Sequence, residues 1–307
     1  MSIPPSILKK LQETEPDRSF EGRLPVVKSS SGATYFVKLG SPKDEAQFIG
    51  EAESLKAIEH AAPSLAPKLF SVGALESGTP YFISQYIEMC PLSYQAAEIL
   101  AERMATALHS HTNASAKGFG FSVPTYCGAT KLKNGWFQRW DECYASMIGD
   151  LLDQLANQGK FIALCTKGEI IKNQVIPKVL GSLDIKPVIL HGDLWIGNTG
   201  LDKATGQPII FDPASYFGHN EADLSIARIF GGFPESFFSA YHKYLPKTEP
   251  VDQYELRMDL YELFHYLNHA LIFGGHYAGC AERKMDNLTS ALRLGPGRHN
   301  GVPNLAK

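Results

Sequence analysis

The sequence predicts an α+β chain in two lobes, the first built of short strands around one helix and the second larger and mostly helical. Three observations predict it. Up to about Met89 the apolar residues fall in short runs bounded by Gly, Ser and Pro, with one interruption of helical periodicity. After Cys90-Pro91 helical spacing takes over. The 307 residues, 44% of them hydrophobic, suffice for a core in each of two units. The lobes are therefore expected at residues 1–89 and 90–307.

Thr34-Tyr35-Phe36-Val37-Lys38-Leu39, with Ser-Gly before it and Gly-Ser-Pro after, reads as a short strand carrying one lysine. Phe48, Ala52, Leu55 and Ile58 recur at helical spacing, which predicts an amphipathic helix from about Glu45 to His60, ended ahead of Pro63. A further strand is expected from Tyr81 to Ile87. In the second lobe Tyr94, Ala97, Ala101, Met104 and Leu108 mark the apolar stripe of one long element. The stretch from Lys117 to Trp140 is rich in glycine and aromatics without periodicity, so a long loop or insertion is expected there. Pro187-Val188-Ile189-Leu190 and Pro208-Ile209-Ile210-Phe211 are two short apolar strands, and Leu256, Leu260, Leu263, Leu267 and Leu271 outline another long helix. The Gly-, Pro- and Asn-rich tail after Leu294 is expected to be loosely ordered.

A net charge of -3 provides no basic field for nucleic acid or an anionic membrane surface, so a small-molecule partner is expected. Five widely spaced cysteines show no zinc spacing and read as reduced thiols. No stretch is apolar for the length of a membrane span, and Met1-Ser2-Ile3-Pro4-Pro5 does not begin a secretory leader. A soluble, cytoplasmic protein is expected.

The densest polar chemistry follows the two short strands of the second lobe. His191-Gly192-Asp193-Leu194-Trp195-Ile196-Gly197-Asn198 fits a kinase catalytic loop, in which an aspartate takes the proton of the attacking hydroxyl and an asparagine five positions on binds Mg²⁺. Phe211-Asp212-Pro213 stands where a kinase has its Asp-Phe-Gly, placing a second carboxylate near the metal and the phosphates of ATP. An aspartate after a strand is often only a turn former or helix cap. Two such segments, in order and one strand apart, favour the catalytic reading. Lys38 then suits the α- and β-phosphates. Its expected partner is Glu51, which shares the apolar stripe of its helix, whereas Glu53 projects with Lys56 toward solvent. Gln85, Tyr86 and Ile87 form either an adenine-binding hinge or a plain strand end.

No G-x-G-x-x-G precedes Lys38, and the residues that cover the phosphates, somewhere within Arg18 to Ser31, stay open. His265 and His269 are spaced to share a metal, but no H-E-x-x-H surrounds them. A packed histidine, or one facing the substrate, are the other readings. Asp223 either braces the catalytic loop or is an ordinary acid at a helix start.

These segments, with Phe230-Gly231-Gly232-Phe233-Pro234, Ala240-Tyr241-His242 and Tyr266-Leu267-Asn268-His269, resemble the fructosamine kinase family, or ketosamine-3-kinases, within the aminoglycoside phosphotransferase-like group. His191-Gly192-Asp193-Leu194-Trp195 followed by Asp212-Pro213-Ala214-Ser215 and Phe217-Gly218-His219 is the most specific part. The resemblance implies a bilobal protein-kinase-like fold with an N-terminal antiparallel sheet. It implies ATP- and Mg²⁺-dependent phosphorylation of the 3-hydroxyl of ketosamines on small amines or glycated protein lysines; the unstable 3-phosphates then decompose and free the amine. By position it implies Asp193 as base, Asn198 and Asp212 as metal ligands, Lys38 and Glu51 at the phosphates, Gln85 to Ile87 as hinge, and Trp195 and His269 as substrate residues. Trp195 is equally read as simple packing. A cysteine that several relatives carry in the phosphate-covering loop is missing from Arg18-Ser19-Phe20-Glu21-Gly22-Arg23. Other readings are a different sugar or aminoglycoside phosphotransferase, and a nucleotide-binding protein without catalysis. The second half has no dense acid cluster for a polycationic drug, and the intact polar set speaks against the last.

Overall fold

The computed structural model describes residues 3–110 and 117–293, so the tail after Leu294 lies outside the described residues. The first lobe contains α1 (Pro5–Thr14), β1 (Phe20–Arg23), β2 (Val26–Ser29), β3 (Thr34–Leu39), α2 (Glu45–Ala61), β4 (Leu69–Ala74) and β5 (Pro80–Gln85). The strands form one sheet in the order β1-β2-β3-β5-β4, antiparallel at every pairing. Helix α1 buries Ile7 and Leu11 in a small core with Val27, Val37 and Ile83. Two apolar anchors are too few to register as periodicity, which is why the sequence reading did not mark this helix. Helix α2 packs Ala52, Leu55 and Ile58 into the main core. A side chain at Gly50 would meet the Pro124 carbonyl at 2.5 Å, so glycine lets α2 approach the second lobe closely.

The expected strand to Ile87 ends earlier, at Gln85, and the chain leaves the ladder before β6 (Met89–Cys90) pairs with a strand of the second lobe. Helix α3 (Tyr94–Arg103) continues through a wider turn at Met104–Leu108. Its buried face is Ala97, Leu100, Ala101, Met104 and Leu108, but Tyr94 is 78% exposed and does not belong to that stripe. It stands in the first turn, where the Ser93 hydroxyl caps the Ala96 N–H and no neighbour covers the ring.

The stretch expected as a loop holds four three-residue strands, β7 (Phe119–Phe121), β8 (Thr125–Cys127), β9 (Thr130–Leu132) and β10 (Gly135–Phe137). Each is too short to display alternation. Then come α4 (Trp140–Asn157), α5 (Ile162–Ile170), α6 (Ile176–Leu180), β11 (Val188–Leu190), β12 (Thr199–Asp202), β13 (Pro208–Ile210), β14 (Tyr216–Gly218), α7 (Asn220–Ile229), α8 (Glu235–Tyr244), α9 (Tyr254–Phe273) and α10 (Gly275–Ala291). The strands assemble as β10-β7-β14-β11, β13-β12-β6 and the β8-β9 hairpin. The chain thus has the bilobal, protein-kinase-like α+β architecture. Strands β11 and β13 do not pair with each other; each pairs with the strand that returns from the other's polar segment, β11 with β14 and β13 with β12. That arrangement presents the two segments side by side. No described helix is long and apolar enough to cross a membrane.

Candidate active site

Asp193 lies in the loop between β11 and β12, and backbone geometry fixes that loop before any side chain acts. Gly192 has φ +82°, and a Cβ there would stand 2.2 Å from the Ala214 carbonyl, so only glycine fits. His191 is fully buried, with Nε2 2.9 Å from the Phe211 carbonyl and Nδ1 accepting the Asp193 N–H at 3.3 Å. A carbonyl partner requires the proton on Nε2, and burial, which holds the imidazole below its ordinary pKa, agrees with a neutral ring. The ring ties the Asp193 loop to the segment bearing Asp212.

Asp223, in the first turn of α7, is both a helix-start acid and a brace. Its carboxylate accepts the N–H groups of His191 at 2.7 Å and Gly192 at 2.8 Å, and meets His109 Nε2 at 3.2 Å. Burial pushes its carboxyl up, but hydrogen bonds from His109 and His191 outweigh this and hold it below the usual range.

The Asn198 amide donates through Nδ2 to the Asp193 carbonyl at 2.9 Å and to its carboxylate at 3.3 Å. Its Oδ1 has no hydrogen bond among the described residues and is an oxygen that could hold a metal ion. Burial pushes the Asp193 carboxyl up to about 6, opposed by hydrogen bonds from the Cys127 thiol and Asn198. Cys127, on β8, is in turn held by Asn268 on α9, whose Nδ2 lies 3.2 Å from both the Cys127 carbonyl and Sγ. Sequence reasoning did not single out Cys127, which sits in the unpatterned stretch. Asn268 entered only as a neighbour of His269.

On the other side Lys38 Nζ meets both Glu51 oxygens at 2.9 Å and Asp212 Oδ1 at 3.6 Å. Glu53 instead pairs with Lys56 on the outer face of α2 at 2.7 Å. Burial pushes the Glu51 carboxyl up, while the Lys38 ammonium pulls it down. Asp212 holds a left-handed backbone, φ +54°, and leaves its carboxylate largely exposed.

These groups share one cavity of about 720 Å³, lined by Lys38, Glu51, Asp193, Asn198 and Asp212 and, beyond them, by Trp195, His269 and further aromatic rings. Trp195 is 40% exposed. His269 Nδ1 faces the His265 carbonyl at 2.8 Å, while His265 is buried with no partner for its own Nδ1 among the described residues, so the pair does not converge on one point. Gln85, Tyr86 and Ile87 are not in the cavity lining. The N–H groups of Gln85 and Tyr86 are engaged by the Lys68 and Thr34 carbonyls at 2.8 and 3.0 Å. The segment from Arg18 to Ser31 contains the β1–β2 hairpin, which also contributes nothing to the lining.

A family model for fructosamine kinases matches residues 24–291. The chain belongs to the fructosamine kinase family. It is 36% identical over 265 residues to an Arabidopsis thaliana protein-ribulosamine 3-kinase of the chloroplast, covering 86% of this chain and 78% of the relative. It is also 36% identical over 280 residues to the ketosamine-3-kinase of Mus musculus, covering 83% and 87%. In three dimensions it resembles a Thermobifida fusca protein described as a candidate fructosamine-3-kinase, with TM-score 0.75 and 24% identity over 94% of this chain and 99% of the other. The family match spans both lobes, from the turn between β1 and β2 to the end of α10, and so includes every residue of the cavity.

Proposed function

We propose that this member of the family transfers the γ-phosphate of ATP to the 3-hydroxyl of ketosamines, the sugar adducts of small amines and protein lysines, and so initiates deglycation. The observation that carries the reading is the convergence of Asp193, Asn198, Lys38, Glu51 and Asp212 on one cavity. Asp193 orients the acceptor hydroxyl and takes its proton as the oxygen attacks. A carboxyl lifted to about 6 by burial is a stronger base than an ordinary aspartate, yet still ionised at neutral pH. Lys38, kept in place by Glu51, neutralises the phosphates of the nucleotide, and the reaction depends chiefly on positioning.

The donors fit Mg²⁺. Asn198 retains a free amide oxygen because its nitrogen is committed to Asp193, and Asp212 offers an exposed carboxylate, both hard oxygen ligands on one cavity wall. When bound there, the ion supplies positive charge to the phosphate oxygens. In this reading residues 1–89 form the nucleotide-binding lobe and residues 90–307 the catalytic lobe. Adenine meets the segment Gln85-Tyr86-Ile87, chiefly through Ile87, whose N–H has no partner among the described residues. Trp195 and His269 contact the sugar. Five thiols outside any disulfide suit action in the reducing cytoplasm.

The test is ATP consumption by the purified protein with Mg²⁺ and, in parallel, a fructosamine, a ribulosamine and an aminoglycoside. Ketosamine turnover that Asp193→Ala abolishes is the expected result. Activity on the aminoglycoside alone, or unchanged turnover in Asp193→Ala, overturns it.

A further inference from the structure

Part of the cavity wall is made by rings on three elements. Phe230 follows α7, His269 and Phe273 stand one turn apart on α9, and Tyr277 begins α10. They form one contiguous set, with His269 centred 4.7 Å from Phe230, 5.5 Å from Phe273 and 5.0 Å from Tyr277, and Phe273 5.9 Å from Tyr277. The corner between α9 and α10 is made by Gly274, at φ +86° and ψ -148°, a conformation open essentially to glycine alone. That corner folds Tyr277 back onto the ring of His269. Phe273 is 67% exposed, so its position serves the cavity mouth rather than the core.

The charges along the cavity complete the argument. Its lining carboxylates are Glu51, bound to Lys38, Asp212, beside Lys38, and Asp193, held by Asn198 at the point of reaction. None stands among the rings. An acceptor with a cationic group beyond its reacting hydroxyl therefore meets no free carboxylate there, only π faces. Ring faces attract alkylammonium groups within about 6 Å of a centroid, with a strength on the order of a tenfold change in affinity.

We propose that Phe230, His269, Phe273 and Tyr277 form an aromatic box for the protonated secondary amine of the acceptor. The inference rests on the ketosamine reading above and deepens it: the enzyme recognises the cationic amine linkage as well as the sugar. It selects amine adducts over neutral ketose derivatives with the same reactive hydroxyl. The alkyl chain of the amine leaves past Phe273 at the mouth, the geometry that a lysine side chain on a protein requires.

The experiment compares two acceptors, an N-alkyl 1-amino-1-deoxyketose and the corresponding neutral 1-O-alkyl ketose, with wild type, Phe273→Leu, Phe273→Trp and Tyr277→Leu. Wild type is expected to favour the amine roughly tenfold in kcat/KM, from the interaction strength above. Phe273→Leu and Tyr277→Leu lower that preference by raising the KM for the amine severalfold, with KM for ATP unchanged. Phe273→Trp retains it, because the exposed site accepts a larger ring and indole binds cations best. Equal use of both acceptors by wild type, or an equal effect of Phe273→Leu on both, overturns the box while leaving the kinase reading intact. Turnover of neither acceptor overturns both together.

Discussion

Asp223→Asn replaces one carboxylate oxygen on a residue outside the cavity lining and tests how the Asp193 loop is held. Asp223 is 2% exposed, and its two oxygens serve three donors: His191 N–H at 2.7 Å, Gly192 N–H at 2.8 Å and His109 Nε2 at 3.2 Å. Because the two backbone donors address different oxygens, an asparagine satisfies one and turns its NH₂ toward the other. A buried donor left unpaired costs about 1–3 kcal/mol, and loss of the charge from the remaining bonds costs about 1 kcal/mol each. The sum is about 3–5 kcal/mol, which lowers Tm by about 10 °C for a chain of this size. The same relaxation moves Asp193 relative to the acceptor, and a shift of about 1 Å is worth about a hundredfold in rate. The expected result in a coupled ADP-release assay at a temperature where the variant is folded is kcat down about a hundredfold with KM for ATP nearly unchanged. In the proposed reading Lys38 and Glu51 hold the nucleotide from the other lobe, so its binding is spared. Wild-type Tm together with wild-type kcat would refute the reasoning.

Other perturbations address separate features. Lys38→Met should raise KM for ATP at least about tenfold, because Lys38 is the cation that stands beside Asp212 in the cavity; unchanged nucleotide affinity would contradict its placement at the phosphates. Arg257→Met should be far more damaging to stability, by about 3–5 kcal/mol in urea unfolding, because it strands a Glu221 carboxylate that Arg257 Nε meets at 2.6 Å with both side chains fully buried. Stability should also depend on pH through His219, which is buried between the Tyr261 and Thr248 hydroxyls at 2.7 and 2.8 Å and whose pKa burial pushes down to about 4. A folded pKa below the unfolded one means that its contribution is complete above about pH 6.5 and is lost as pH falls toward 4, at about 1.4 kcal/mol per unit. His265, pushed by burial to about 3, adds a loss of the same sign. Unfolding free energies equal at pH 7.5 and pH 5 would exclude this.

What the sequence determined by itself is what short stretches of chain can encode. The reach from Asp193 to Asn198 spans one loop, and the side-by-side carboxylate of Asp212 follows from one intervening strand pair. Glu51 was distinguishable from Glu53 because helical geometry assigns residues two apart to different faces. The strand bearing Lys38 and the helices α2 and α9 were legible for the same reason, as long or well-bounded periodic segments. Helix α1 and strands β7 to β10 were not, since two anchors or three residues carry no period.

The tertiary structure alone decided the rest, because it depends on contacts between residues far apart in the chain. Asp223 had two local readings of equal merit, and only the packing of α7 beneath the loop put its carboxylate on the His191 and Gly192 amides. Cys127 and Asn268 are 141 residues apart and meet behind Asp193. The ring-lined part of the cavity exists because a glycine corner folds α10 back on α9 and α7 delivers Phe230 to the same place. No local pattern encodes such a meeting, since hydrophobic periodicity reports which face of an element is buried and not what it is buried against.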